Sequence, residues 1–159
     1  MHKISVVFVC LGNICRSPTA HGVFQHMINQ RGYSQRISVD SAGTGDWHLG
    51  HAPDTRSVAT ADGRGIDLRM LRSRLVTAKD FQKSAYIIAM DRQNLADLEV
   101  LRPPDFDGHL GLLLDFSAAT EYAEVPDPYY SGDQGFELVI DLIESAAEGL
   151  LQHIKKHYL

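Results

Sequence analysis

The sequence predicts an α/β fold, a parallel sheet with helices on both faces. Three observations carry that reading. The run Ile4-Ser5-Val6-Val7-Phe8-Val9 is apolar, β-branched and too short for an ordinary helix, as expected of a strand buried on both sides. Strand-like and helix-like segments then alternate along the chain, and a parallel sheet needs such crossover helices. Finally, the polar residues with chemical potential fall at or just past the strand ends, where sheets of this type bind ligands.

The first strand ends at Cys10. A short loop, Leu11-Gly12-Asn13-Ile14-Cys15, leads to Arg16 and Ser17, and Pro18 falls in the first turn of a helix, where a proline is well placed. From Thr19 to Gln30, Val23, Phe24, Met27 and Ile28 form one helical stripe, with Gly32 as its stop. Ile37-Ser38-Val39 alternates as a second strand, and Ser41 to His51 reads as a glycine-rich loop holding the only tryptophan, Trp47. Pro53 to Ala61 is expected to be a helix opened by its proline and closed by Asp62-Gly63-Arg64-Gly65.

Ile66 to Val76 is basic and irregular, with room for one short extended piece, and Thr77-Ala78-Lys79-Asp80 suits the cap of a brief helix. Tyr86 to Met90 is the clearest strand after the first. A helix over Asp91 to Leu101 is stopped by Pro103-Pro104. Leu110 to Leu114 reads as the last strand, and Asp115 to Asp133 as a loop of a length that is often functional. From Gln134 onward, Phe136, Val139, Ile140, Ile143, Ala147, Leu150, Leu151 and Ile154 mark a closing amphipathic helix. With no repeat, low-complexity tract or linker, residues 1–159 are expected to form a single domain.

Composition narrows the function. The chain has 159 residues, 44% hydrophobic and 22% charged, an ordinary globular balance with enough length for a substantial core. Its net charge of -5 argues against nucleic-acid binding and against a membrane-surface role. Met1-His2-Lys3 leads straight into a short strand, so no signal peptide is expected, and no apolar run approaches membrane-spanning length. Two cysteines separated by four residues suit a reducing, cytoplasmic setting and supply too few ligands for zinc.

Cys10 and Arg16 bracket the first loop with a Cys-x5-Arg spacing. Strand, glycine-bearing turn and helix start converge backbone N–H groups on one point and make an anion site. Positive potential there favours a thiolate at Cys10, and Arg16 can take two oxygens of a phosphate at once. Ser17 could donate to the sulfur, and Asn13, which tolerates positive φ, could brace the loop. The plain alternative is a buried cysteine before an ordinary βα turn; Gly12, Asn13, Ser17 and the preceding strand weigh against it.

The segment VCLGNICRSPTA resembles the phosphate-binding loop of the low-molecular-weight protein tyrosine phosphatases. The likeness continues through SAGTGDWHLGHAPDTR (Ser41 to Arg56), MDRQN (Met90 to Asn94) and VPDPYY (Val125 to Tyr130), in the family's order and across nearly the whole chain. It implies a flavodoxin-like three-layer fold with a four-stranded parallel sheet in the order 2-1-3-4. It also implies a hydrolase acting on phosphotyrosine through a phosphocysteine at Cys10, with Arg16 binding phosphate. Asp127, between Pro126 and Pro128, is the expected general acid. No metal or cofactor is needed for that chemistry. The partners would be phosphotyrosine-containing proteins, the product inorganic phosphate, and the enzyme a monomer.

Leu11, Gly12, Asn13, Ile14, Cys15, Ser17, Trp47 and Tyr129 are expected to bind the substrate, with Tyr130 beside them. Trp47 could instead be core, and Pro-Asp-Pro in an unrelated chain would read as a turn. The likeness implies that Ser41 ties to the loop and that Asp91 pairs with Arg16; Asp91 could also simply cap a helix. Cys15 is either a small buried hydrophobe or a thiol that traps oxidised Cys10 as a disulfide. His48 and His51 flank Trp47 and could tune substrate choice. Members of the family often carry a histidine after the Gly-Ile-Asp stretch, bonded to the loop asparagine; Asp67 to Arg72 contains none, which leaves the partner of Asn13 open.

Two other readings share these residues. An arsenate reductase of the same fold would need a further cysteine or an external thiol. A phosphocysteine carrier or a silent phosphate-binding module would have no use for an acid beside its arginine, so Arg16 with Asp127 favours turnover.

Overall fold

The structure, a computed structural model, describes residues 3–117, 121–129 and 131–159. Strands β1 (Ile4–Cys10), β2 (Ile37–Gly43), β3 (Tyr86–Ala89) and β4 (His109–Leu112) form one sheet in the order β2-β1-β3-β4. All pairings are parallel: Ile4 sits opposite Ile37, Val6 opposite Tyr86, and Tyr86 opposite His109. Helices α1 (Arg16–Gln30), α2 (Thr55–Asp62), α3 (Ala78–Lys83), α4 (Arg92–Leu101) and α5 (Asp133–Tyr158) complete it. The α/β class and the strand order 2-1-3-4 are as expected.

Two apolar clusters explain the three layers. Alternate residues of β1 point to opposite faces. Val6, Phe8 and Cys10 join Phe24 and Ile28 of α1 and Ile140, Ala147 and Leu150 of α5. Val7 and Val9 join Phe81, Leu98 and Phe106 on the other face. Both sides of the central strand are therefore dry, which is why its sequence does not alternate.

Several boundaries differ from expectation for local reasons. Strand β2 runs on to Gly43, pairing residue for residue with β1 as far as Cys10 opposite Gly43, so Ser41 lies in a strand and not in the glycine-rich loop. A side chain at Gly43 would meet the Leu11 carbonyl at 2.7 Å, and this close approach lets the strand lie against the loop after β1. Helix α2 is capped by Asp54, whose carboxylate accepts the Arg56 amide, so Pro53 precedes the cap. The last strand ends at Leu112, and Leu113–Phe116 tightens into a 3-10 turn. Tyr130 and residues 118–120 of the long loop lie outside the described residues. Among the described residues, no helix is long and apolar enough to cross a membrane.

Candidate active site

Beyond the carboxyl end of β1 lies a cavity of about 380 Å³. Cys10 to Arg16, except Asn13, form its floor, and Trp47, His48, Asp127 and Tyr129 form its walls. Every residue expected to react faces this one space.

The floor is built around the Cys10 sulfur. The amides of Asn13 and Ser17 donate to Sγ at 3.3 and 3.4 Å, and the Ser17 hydroxyl lies 3.0 Å away. Ser17 Oγ accepts from Asn13 Nδ2 at 2.7 Å, which leaves its own proton for the sulfur or for the Ala42 carbonyl at 3.3 Å. Such donors stabilise a sulfur anion more than a neutral thiol. Gly12 allows the turn to pass under His48: a Cβ there would lie 2.9 Å from the imidazole Cδ2.

Asn13 takes φ 55°, the only non-glycine residue with positive φ among those described. Asparagine tolerates this conformation better than most residues. Its Oδ1 accepts the main-chain N–H of Arg74 at 3.0 Å, and Ser73 donates its hydroxyl to the Gly12 carbonyl at 2.9 Å. The segment after Gly65 therefore braces the loop through a backbone amide where a histidine side chain was missing. Sequence reasoning could not find this contact, because a backbone donor leaves no mark on residue type.

Arg16 is buried, at 3% exposure. Its Nη1 donates to Asp91 Oδ2 at 2.6 Å and to the Val125 carbonyl at 2.9 Å. The other oxygen of Asp91 accepts the Asn94 amide at 2.7 Å, so the residue caps α4 and orients the guanidinium together. Nη2 of Arg16 lies 3.9 Å from Asp127 Oδ2. Asp127 is half-exposed and its Oδ1 accepts the Tyr129 amide at 3.0 Å, leaving Oδ2 toward the cavity side.

Ser41 does not tie to the loop. Its hydroxyl bonds His21 Nδ1 at 3.1 Å, and its amide donates to Asp40. The reason is register: Ser41 stands opposite Phe8, two residues short of Cys10, so it pairs with α1 and the hydroxyl of Ser17 meets Ala42 instead. Trp47 is not core; it is 68% exposed on the cavity wall. Cys15 packs with Ile14 and Phe136, and burial, with the Asp54 charge second, pushes its thiol up to about 12. Both cysteines are free. Among the described residues no group of three His, Cys, Asp or Glu side chains is arranged to hold a metal ion.

This geometry agrees with three comparisons. The profile of the family described as low molecular weight phosphotyrosine protein phosphatase matches residues 5–158. A low molecular weight protein-tyrosine-phosphatase of Bacillus subtilis, YfkJ, is 40% identical over 96% of this chain and 97% of its own. A low molecular weight phosphotyrosine protein phosphatase of Schizosaccharomyces pombe is 38% identical over 89% and 92%. The crystal structure of a protein tyrosine phosphatase from Entamoeba histolytica with Hepes in the active site superposes with a TM-score of 0.94, at 37% identity and covering 99% and 100% of the two chains. A profile that spans almost the entire sequence, relatives near 40% identity over their full length and a shared strand order lead to one conclusion: the chain belongs to the low molecular weight phosphotyrosine protein phosphatase family.

Proposed function

We propose that this enzyme hydrolyses phosphotyrosine in proteins, and small aryl phosphates, through a phosphocysteine on Cys10. The observation that carries the reading is the set of donors around the Cys10 sulfur, on the floor of a cavity that Arg16 and Asp127 also line. Phosphoryl transfer has a loose transition state whose charge spreads over the equatorial oxygens, so positioned donors supply most of the catalysis. The loop amides and Arg16 take those oxygens while Sγ attacks phosphorus in line.

As the S–P bond forms, the P–O bond to the aryl group breaks and Asp127 gives its proton to the departing phenolate. A positioned acid of this kind contributes roughly 100- to 10,000-fold. Water then attacks the phosphocysteine, Asp127 takes a proton from it, and the thiolate leaves with inorganic phosphate as product. The Ser17 hydroxyl, 3.0 Å from Sγ, stabilises the departing thiolate. No step calls on a metal.

Trp47 and Tyr129 of the walls, with Leu11 and Ile14 of the floor, give the cavity an apolar lining suited to an aromatic ring. A serine phosphate would leave these walls uncovered. The reductase reading has only Cys15 to offer, a thiol whose raised pKa makes it a slow partner at neutral pH. The same property bears on redox protection: once peroxide converts Cys10 to a sulfenic acid, Cys15 forms the disulfide slowly by expelling hydroxide. The deciding experiment is metal-free turnover of p-nitrophenyl phosphate. Cys10→Ser abolishes it, and Asp127→Ala severely slows hydrolysis of phenyl phosphate, whose more basic phenolate needs the proton; equal rates for wild type and Asp127→Ala on that ester would remove the acid role.

A further inference from the structure

We infer that Arg56 is a positioning residue that docks the Asp127 loop against the phosphate loop, and so sets how well the general acid works. The inference rests on the acid role proposed for Asp127.

Arg56 sits in the first turn of α2, outside the cavity lining, and touches both halves of the site. On the phosphate-loop side, the Asp54 amide donates to the Ile14 carbonyl at 2.8 Å. The Asp54 carboxylate then receives Arg56 in a fork, Nε to Oδ1 at 3.0 Å and Nη2 to Oδ2 at 2.9 Å. On the acid-loop side, the same Nη2 donates to the Tyr129 carbonyl at 2.9 Å. The guanidinium also stacks near the Tyr129 ring, 5.6 Å from its centroid, and over Phe136 at 4.6 Å.

Asp127 hangs between two anchors. Upstream, Val125 donates its amide to the Met90 carbonyl at 2.9 Å and gives its own carbonyl to Arg16. Downstream, Asp127 Oδ1 accepts the Tyr129 amide, and Arg56 holds that residue's carbonyl and ring. Without Arg56 the downstream anchor loses its tie to α2, and Oδ2 no longer has a fixed approach to the leaving oxygen. A planar fork that serves a carboxylate and a carbonyl at once is something Arg offers and Lys does not. Misplacement of an acid by an ångström removes much of its effect.

The test compares kcat/KM for two substrates in each protein. A nitrophenyl ester departs with little help, whereas the phenolate of phenyl phosphate is about as basic as tyrosine, near pKa 10, and needs the acid. The ratio of the two rates cancels the fraction of folded enzyme, so a folding defect does not imitate the effect. Asp127→Ala sets the scale by lowering phenyl phosphate more than the nitrophenyl ester. Arg56→Gln shifts the ratio the same way by roughly tenfold or more, and Arg56→Lys, keeping one donor, falls between. A wild-type ratio in Arg56→Gln alongside a shifted ratio in Asp127→Ala would overturn the inference alone. An unshifted ratio in Asp127→Ala would remove the acid reading and the inference with it.

Discussion

The main-chain amide of Arg74 donates to Oδ1 of Asn13 at 3.0 Å, across 61 positions of sequence. This one bond fixes which way the asparagine amide faces. Because Oδ1 is taken, Nδ2 points at Ser17 Oγ, and the serine proton is free for the Cys10 sulfur or the Ala42 carbonyl. The geometry of the anion site therefore runs through a residue that does not itself line the cavity.

Asn13→Ala removes both side-chain bonds and puts a Cβ-bearing residue without a compensating amide at φ 55°. The left-handed conformation costs roughly 1 to 2 kcal/mol and the lost bonds about 1 kcal/mol each. Urea unfolding should show a loss of about 3 to 4 kcal/mol, and kcat/KM for p-nitrophenyl phosphate should fall as the loop amides spread. Asn13→Gly recovers the backbone part of the stability and not the rate; a glycine variant with wild-type activity would show that the two bonds do not shape the loop.

Asp91→Asn separates the two jobs of that residue. An asparagine still caps α4 as well as an aspartate does. It has only one oxygen, however, and the Asn94 amide and Arg16 Nη1 both need an acceptor. One contact fails, and the buried guanidinium loses its charged partner. Since the Asp91 carboxylate is 22% exposed, the stability loss should sit near a charged hydrogen bond, about 2 kcal/mol, and below that of a fully buried pair. The larger effect is expected on kcat/KM, roughly 10- to 100-fold, because Arg16 loses its fixed aim. Phosphate inhibition weakening in parallel checks the cause; unchanged phosphate affinity would place Asp91 in a capping role alone.

At the opposite end of the sheet, His153 packs on Tyr86, His109, Phe116 and His157, and bonds the Tyr86 hydroxyl through Nδ1 at 2.6 Å. Burial lowers the pKa of His153, with the charges of His157, His109 and Lys156 adding to it. Burial lowers His109 as well, against the pull of Asp115. Unfolded histidine takes up its proton near about pH 6.5, before the folded form does, so stability is held above that pH and lost as pH falls below it. The urea midpoint should drop between about pH 7.5 and about pH 5.5, and the drop should shrink in His153→Gln. Equal drops in the two proteins would assign the acid sensitivity to other groups.

What could be read in advance depended on distance along the chain. Cys10 and Ser17 are seven positions apart, so a single strand–loop–helix turn brings them together and residue types reveal it. Arg16 and Asp91 are 75 positions apart, and only the family likeness implies their pairing. The strand order came the same way, since apolar runs do not say which strand lies beside which. By pattern, Gly43, Thr44 and Gly45 make Ser41 read as part of a loop, whereas pairing with β1 carries the strand through Gly43. The Arg74 amide and the Arg56 bracket left no trace in residue type, one being backbone and the other an ordinary surface arginine by pattern.

Cys15 gives a prediction on the alkaline side. Burial moves its thiol from 9.0 up to about 12 in the folded protein, with Asp54 and Cys10 acting in the same direction. In the unfolded chain the thiol ionises near pH 9, so between there and about 12 the unfolded state binds fewer protons than the native one, and stability must fall as pH rises. Each unit of separation is worth about 1.4 kcal/mol, so the fall attributable to Cys15 by about pH 10.5 is roughly 2 kcal/mol. Tyr86, raised by burial to about 12, adds to the same trend at slightly higher pH. Cys15→Ala keeps the Tyr86 contribution and deletes only this one. Its stability is lower at pH 8 for want of the packed sulfur against Ile14 and Phe136, yet it should decline less steeply toward about pH 10.5. Parallel slopes for the two proteins would mean that the thiol ionises in the folded state as readily as in the unfolded one, and that the wall between Cys15 and solvent is thinner than its burial indicates.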